Sequence, residues 1–582
     1  MLGDLFRRKN PYTHSDLTPG DIFLDSSNLA GMAVEQFEGR IEKPVASFAI
    51  FLVGVVFVLA ALIFGWRMFE LQVRKGADYA LAAQENRLVH SLLFAERGVI
   101  YDRTGKELAW NEAAFAAEGS TSTEPLLPYS LRRYSELPGL AHVLGYVRYP
   151  KADSSGVWWR TDLTGVSGAE LIFNDQMAGK NGTEMAEVDV RNVIHRRSLI
   201  ERPRGGRNIT LSIDAEMQSK LYTTLAQHAK QFNFVGGAGM IIDVTTGEII
   251  ALTSVPEYSS QALTSGDQTE VSSFSSDQRK PFLNRALSGV YTPGSIVKPF
   301  FAAAALQEGI ITPEKSIFSP GFISIPNLYN PDKPSIIKDW RAHGWTAMRE
   351  AISVSSDVYF FSIGGGYEDQ EGLGIARINT WARAFGLGRA TGFDFAGEAD
   401  GVIPTPAWKK EVFGENEPWR LGDTYNTSIG QYGFQVTPAQ MVRAVAAIAN
   451  GGRLPALQII ASSTPAYVSV GISDEHLAVV REGMRLAVTS DKGTARALNI
   501  PGFPIAGKTG TAEVGSKKQF MNSWVIGFWP YDKPKYAFAV VLERAPAGTL
   551  SGAAPAMRGF FDWLAQRPVE AVSVVQDIEI AR

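Results

Sequence analysis

A serine three residues ahead of a lysine is the first arrangement in this chain that could do chemistry. In Tyr291-Thr292-Pro293-Gly294-Ser295-Ile296-Val297-Lys298-Pro299-Phe300, Pro293-Gly294 makes a turn. The apolar run from Phe301 to Leu306, stopping at Gly309, predicts a helix that begins at Ser295. Pro299 is compatible with its first turns, where backbone N–H groups are still unpaired. On such a helix Ser295 and Lys298 share one face. A partly desolvated lysine near the positive helix end has its pKa pushed down toward neutrality. It could then take the proton of a serine hydroxyl, which is otherwise a poor nucleophile. Taken alone the pattern is weak, because Ser335-Ile336-Ile337-Lys338 repeats it after Pro334 in a strand-like or loop setting. A surface helix start would look the same.

Ser355-Ser356-Asp357 lies in the stretch Arg349 to Phe361, which reads as helical. A serine with a carboxylate or amide two residues on can shuttle a proton and bond a substrate amide. Ser212-Ile213-Asp214 and Ser275-Ser276-Asp277 match equally well, so this pattern also describes an ordinary solvated helix end. Lys508-Thr509-Gly510-Thr511-Ala512 is sharper, since Lys-Thr-Gly occurs once in the sequence. On an edge strand, the ammonium and the two threonine hydroxyls could hold a carboxylate. Gly510 would let a substrate backbone approach closely. The competing reading is a β-turn with an exposed lysine.

The elements that must position these groups are also legible. Asp214 reads as the N-cap of a helix reaching Phe232, and Gly239–Val244 with Glu248–Val255 as a β-hairpin. Ser523–Trp529 and Tyr536–Leu542 read as strands joined by the turn from Pro530 to Lys535, and Ala439–Ala449 as a helix ended by Gly451-Gly452. Strands at both ends around a helical middle imply an α/β or α+β domain of roughly 350 residues. Upstream, Leu93–Gly105 reads as an extended segment ending in a polar turn, and Leu140–Val147 and Arg191–Ile194 as short strands.

Composition sets the outer limits. The 582 residues are 45% apolar and 20% charged, with no cysteine, which excludes a disulfide framework, a cysteine-ligated metal and a thiol nucleophile. Lys plus Arg is 56 against 60 for Asp plus Glu, a net charge of -4, and nucleic-acid binding would call for a basic face instead. From Pro44 to Trp66 the chain is uncharged for 23 residues, enough to cross a hydrocarbon core of about 30 Å. Basic residues flank this anchor on both sides (Arg7, Arg8, Lys9, Arg40 and Lys43 before; Arg67, Arg74, Lys75 and Arg87 after), so charge does not set its orientation.

Ser-x-x-Lys, a Ser-x-Asn-type element and Lys-Thr-Gly, in that order, are the signature set of penicillin-binding proteins and class A β-lactamases. The sequence resembles the class B penicillin-binding proteins, single-anchor D,D-transpeptidases of peptidoglycan synthesis. Arg97-Gly98-Val99-Ile100-Tyr101-Asp102-Arg103 is similar to their Arg-Gly-x-Ile-x-Asp-Arg element. Asn284-Arg285-Ala286 through Lys298 is similar to their approach to the nucleophile. Gly422 to Gln431 followed by Val436-Thr437-Pro438 is similar to a further recurrent stretch. Asp357 in place of asparagine, and His343-Gly344, resemble the elongation (penicillin-binding protein 2) branch; the short pedestal and the Ser-rich Glu257–Lys280 loop depart from it.

The resemblance implies a cytoplasmic tail (1–43), an anchor (44–66), a β-rich pedestal (67–205), a transpeptidase domain with an antiparallel sheet and a helical subdomain (206–570), and a C-terminal tail (571–582). It implies that Ser295 attacks the carbonyl between two terminal D-alanines, with Lys298 as general base. Ser355 relays the proton to the leaving D-alanine, supported by Lys298 and Lys508, and Asp357 stands where the substrate amide is bound. Lys508, Thr509 and Thr511 hold the terminal carboxylate, and the backbone N–H groups of Ser295 and Thr511 form an oxyanion hole. A neighbouring stem peptide's amine then takes the acyl group, and β-lactams stall at the acyl step. No metal or organic cofactor is implied. The expected partners are donor and acceptor stem peptides, a SEDS-type glycan polymerase of the RodA kind and other elongation-complex membrane proteins. The catalytic domain is expected outside the cytoplasmic membrane. The alternatives are a division-specific transpeptidase, or a non-catalytic β-lactam sensor or scaffold.

Overall fold

The computed structural model describes residues 46–85, 88–113, 127–188, 194–326, 332–393, 395, 397–460 and 465–567. The expected tails, Pro44 and Val45 of the anchor, and 191–193 of the Arg191–Ile194 strand lie outside these. Helix α1, Ser47–Phe69, has no buried residue and is the one described helix long and apolar enough to cross a membrane. It runs past the expected end at Trp66 and continues as a π-turn over Glu70–Arg74. Arg67 and Glu70, 2.6 Å apart, prolong it on polar side chains. The chain divides into two compact units at Leu88 and Val89.

The second unit includes strands β1 (Ile100–Tyr101), β2 (Glu107–Glu112) and β3 (Leu131–Tyr134), the antiparallel neighbours β4 (Gly182–Val188) and β5 (Ile194–Glu201), and β6 (Ile209–Thr210). Four of them form one sheet in the order β6-β1-β2-β3. The expected polar turn closes where Asp102 Oδ1 accepts from the N–H groups of Thr104 and Lys106. Glu170, fully buried, bridges Arg97 at 2.6 Å and Arg132 at 2.8 Å. The Arg-Gly-x-Ile-x-Asp-Arg element therefore works here as a packing node. Leu140–Val147 is not a strand: Ala141–Leu144 is a helical turn and only Val147–Arg148 is extended. Buried Leu140, Val143, Leu144 and Val147 stand at i, i+3, i+4 and i+7, a helical spacing.

Helix α2, Ala215–Gln231, starts as expected, with Asp214 accepting from the N–H groups of Glu216 and Met217. Next come β7 (Gly236–Asp243), β8 (Ile249–Val255) and the helices α3 (Lys298–Gln307), α4 (Met348–Val354), α5 (Asp357–Gly365) and α6 (Pro438–Ala449). Strands β9 (Ala506–Val514), β10 (Phe520–Trp529) and β11 (Tyr536–Pro546) follow, then α7 (Ala553–Ala565). The five strands form one antiparallel sheet in the order β8-β7-β11-β10-β9, so both predicted hairpins pair through β7 and β11.

Successive strand residues face opposite sides. Ile241, Val525, Phe538 and Val540 pack in one core with Leu221 of α2 and Phe561 of α7. Met240, Trp524, Ile526 and Ala539 pack in the other with Phe300 of α3 and Met441 of α6. A sheet covered on both faces explains why these antiparallel strands are apolar throughout rather than alternating.

Candidate active site

The Ser295 turn is not the start of an α-helix. Gly294–Val297 is a 3-10 turn, and α3 begins at Lys298 with Pro299 in its first turn. Gly294 takes φ +58°, and a Cβ there would sit 2.7 Å from the carbonyl oxygen of Thr511. Its N–H donates to Gly430 O at 2.9 Å. Gly510 is equally tight, since a Cβ would meet Pro293 O at 2.8 Å. Two glycines thus let the serine turn lie directly on strand β9. That strand is the sheet edge, as expected for the Lys-Thr-Gly segment.

The predicted helix Arg349–Phe361 is broken in its middle. Ser355 adopts the left-handed conformation at φ 60° and ψ 42° and ends α4, while Ser356 N-caps α5. This break turns the Ser355 side chain toward two lysines. Lys298 Nζ, fully buried, donates to Ser355 O at 2.8 Å, Ser355 Oγ at 3.2 Å and Asp357 Oδ1 at 2.6 Å. Lys508 Nζ donates to the same Oγ at 2.8 Å and to Thr509 O at 2.7 Å. Burial, together with the Lys298 charge, pushes the Lys508 ammonium well below its ordinary pKa, against the opposing pull of Asp357.

Above these groups opens a cleft of about 320 Å³ lined by Ser295, Trp340, Ser355, Asp357, Thr494, Thr509, Gly510 and Thr511. Every expected site residue therefore lies in its wall or, for the two lysines, under its floor. Lys298 makes no hydrogen bond to the Ser295 hydroxyl: its three donors all go to Ser355 and Asp357. The chance copy Ser335–Lys338 is a strand with both terminal side chains exposed, paired with Phe322–Ile325.

Sequence reasoning missed three residues of this site. Trp340 Nε1 donates to Ser355 O at 3.2 Å. Asp339 Oδ2 accepts from Ser356 Oγ and Val358 N, each at 3.0 Å. Burial works against the Asp339 charge, but the His343 ring 3.4 Å away, the bond from Val358 N and the Lys298 charge outweigh it and hold the carboxyl pKa at about 2. Thr494 N and Oγ1 both donate to Ser353 O. The only available signal was a tryptophan between Asp339 and Arg341, an aromatic in a polar loop.

Residues 237–562, more than half of the chain, match the family described as the penicillin binding protein transpeptidase domain. The chain belongs to that family. Residues 126–211 match the penicillin-binding protein dimerisation domain. The peptidoglycan D,D-transpeptidase MrdA of Acinetobacter baumannii is 30% identical, over 89% of this chain and 87% of that protein. The peptidoglycan D,D-transpeptidase FtsI of Escherichia coli is 27% identical over 73% of this chain and 65% of that protein. Among solved structures, Pseudomonas aeruginosa PBP2 in complex with WCK 5153 is 28% identical, covering 84% of this chain and all of that one, with a TM-score of 0.65. A structure described as the coordination of polymerization and crosslinking by a peptidoglycan synthase complex is 29% identical. It covers 90% of this chain and 99% of that one, with a TM-score of 0.68. The elongation-type resemblance read from Asp357 is borne out: the MrdA match is fuller than the FtsI match.

Proposed function

We propose that this protein cross-links peptidoglycan stem peptides through an acyl-enzyme on Ser295, in cell-wall elongation. The observation that carries the reading is the meeting of Lys298, Asp357 and Lys508 around Ser355, beside a cleft that Ser295 lines. Ser295 Oγ attacks the carbonyl between the terminal D-alanines. Lys298 accepts its proton after releasing one of the three it donates at rest, and Asp357 Oδ1 at 2.6 Å is the nearest acceptor of that proton. Ser355 passes its proton to the departing D-alanine amine and takes a replacement from Lys298, which carries the Ser295 proton and lies 3.2 Å from the Ser355 hydroxyl. Lys508, Thr509 and Thr511 hold the terminal carboxylate, and the N–H groups of Ser295 and Thr511 face the developing oxyanion. An acceptor amine then releases the peptide.

Helix α1 anchors the chain in the cytoplasmic membrane, with the catalytic domain outside, where peptidoglycan lies. The partner is a membrane glycan polymerase of the SEDS (RodA) kind. The synthase-complex relative, whose description couples polymerization to crosslinking, supports that choice.

Acylating the detergent-purified full chain with a fluorescent penicillin and timing its release tests the activity. A label that persists for minutes or longer is expected. Release within seconds would mean hydrolysis as in a β-lactamase and would overturn the reading.

A further inference from the structure

The Ser355 hydroxyl can stand between two ammonium groups only while its backbone stays in the left-handed region. For a residue with a Cβ that conformation is strained and persists only if its surroundings impose it. The three family motifs do not impose it. Lys298 and Lys508 both reach the Ser355 hydroxyl, and Lys298 also takes its carbonyl, but each bond depends on the turn already being formed.

Two consecutive residues outside the motifs grip the turn from both sides. Trp340 Nε1 donates to Ser355 O at 3.2 Å. Asp339 Oδ2 accepts from Ser356 Oγ and Val358 N, one and three residues further on. The pair is itself braced: Asp339 Oδ1 accepts from Trp340 N at 2.7 Å, and Ser319 Oγ reaches Oδ2 at 3.3 Å. The Arg341 guanidinium lies 4.4 Å from the centre of the indole, and the His343 ring meets it edge-on at 5.2 Å. Asp339 is buried, whereas Trp340 is 54% exposed and forms part of the cleft wall.

We propose that Asp339 and Trp340 are positioning residues of this active site, a clamp that fixes the left-handed Ser355 turn and with it the hydroxyl between Lys298 and Lys508. The inference rests on the transpeptidase reading above. Asp339 and the indole N–H of Trp340 act through Ser355, so losing either while an aromatic ring stays in the cleft wall slows the covalent step without weakening the preceding non-covalent complex. A residue that merely stabilised the domain would reduce the number of competent molecules and leave the rate of each unchanged.

The test is pre-steady-state acylation of the full chain by a chromogenic cephalosporin, resolved into the pre-covalent dissociation constant and the acylation rate constant. The endpoint of labelling counts competent sites, so a misfolded fraction drops out. Trp340→Phe keeps the ring and removes the N–H; it is expected to lower the acylation rate constant at least tenfold, with the dissociation constant within twofold. Asp339→Ala is expected to lower it further, and Asp339→Asn, which keeps a carbonyl acceptor, to recover part of the loss. Wild-type rate constants in Trp340→Phe and Asp339→Ala, or a loss confined to the dissociation constant, would overturn the clamp. Failure of the wild-type chain to acylate at all would instead overturn the function on which it rests.

Discussion

Lys508 Nζ donates to Ser355 Oγ across 2.8 Å, joining residues 153 positions apart in the sequence. The same oxygen receives Lys298 Nζ at 3.2 Å. A hydroxyl has two acceptor lone pairs and one proton to give. With both lone pairs directed at lysines, the Ser355 O–H is left to point into the cleft, where the leaving amine must be protonated.

Ser355→Ala removes the hydroxyl that accepts from both Lys298 and Lys508. The acylation rate constant is expected to fall about 100-fold, within the range of a lost proton-transfer group. Stopped-flow acylation measures it; a loss of less than threefold would contradict the relay.

Asp357 is the counter-charge of a lysine with no exposure at all. Asp357→Ala strands that charge, and the fold is expected to lose about 3–5 kcal/mol, the usual cost of halving a buried pair. Asp357→Asn keeps an acceptor beside Lys298 but removes the counter-charge as fully as alanine does, so it is expected to lose most of the same stability. Urea unfolding of the two variants checks both values, and a loss in Asp357→Asn of no more than about 1 kcal/mol, that of an ordinary hydrogen bond, would contradict the ion-pair account.

Glu257, at the head of the Ser-rich loop, links the catalytic domain to the helical turn at Ala141. Its carboxylate accepts from Gly139 N at 2.5 Å and Ala141 N at 3.0 Å, beside a cavity of about 860 Å³. Burial raises its pKa from 4.5 to about 7, outweighing those two bonds. A carboxyl whose folded pKa is raised binds its proton more tightly in the folded state. Its contribution to stability is therefore complete below the unfolded value and lost as pH rises through about 7. The loss amounts to about 3 kcal/mol. In Glu257→Gln that pH dependence disappears. The stability difference between wild type and Glu257→Gln, followed by urea unfolding from pH 5 to 8, should shift against the wild type as pH rises. A pH-independent difference would contradict the assignment.

The chemistry was legible where it is local and obscure where it is tertiary. Ser295, Lys298 and Lys508 stand out because turn, helix and strand signals flank each motif within ten residues. The α-helix expected from Ser295 gave way to a 3-10 turn because Gly294, at φ +58°, must fit beneath Thr511, a contact that no local pattern encodes. The break at Ser355 was hidden inside a stretch, Arg349 to Phe361, that reads as one helix, and it depends on Asp339 and Trp340 from a separate loop. Glu170 was invisible for the same reason: its two arginines lie 73 and 38 residues upstream. The helical turn at Ala141 was within reach, since its spacing is helical, and was lost to the shortness of the segment.

The central claim is that Ser295 is the nucleophile. Intact-mass measurement of the full chain after incubation with a penicillin, followed by peptide mapping, tests it most directly. The account predicts one added penicillin per molecule, carried by the peptide containing Ser295, and none on a folded Ser295→Ala variant. An adduct that persists in Ser295→Ala, or maps to a different residue in the wild type, would contradict it.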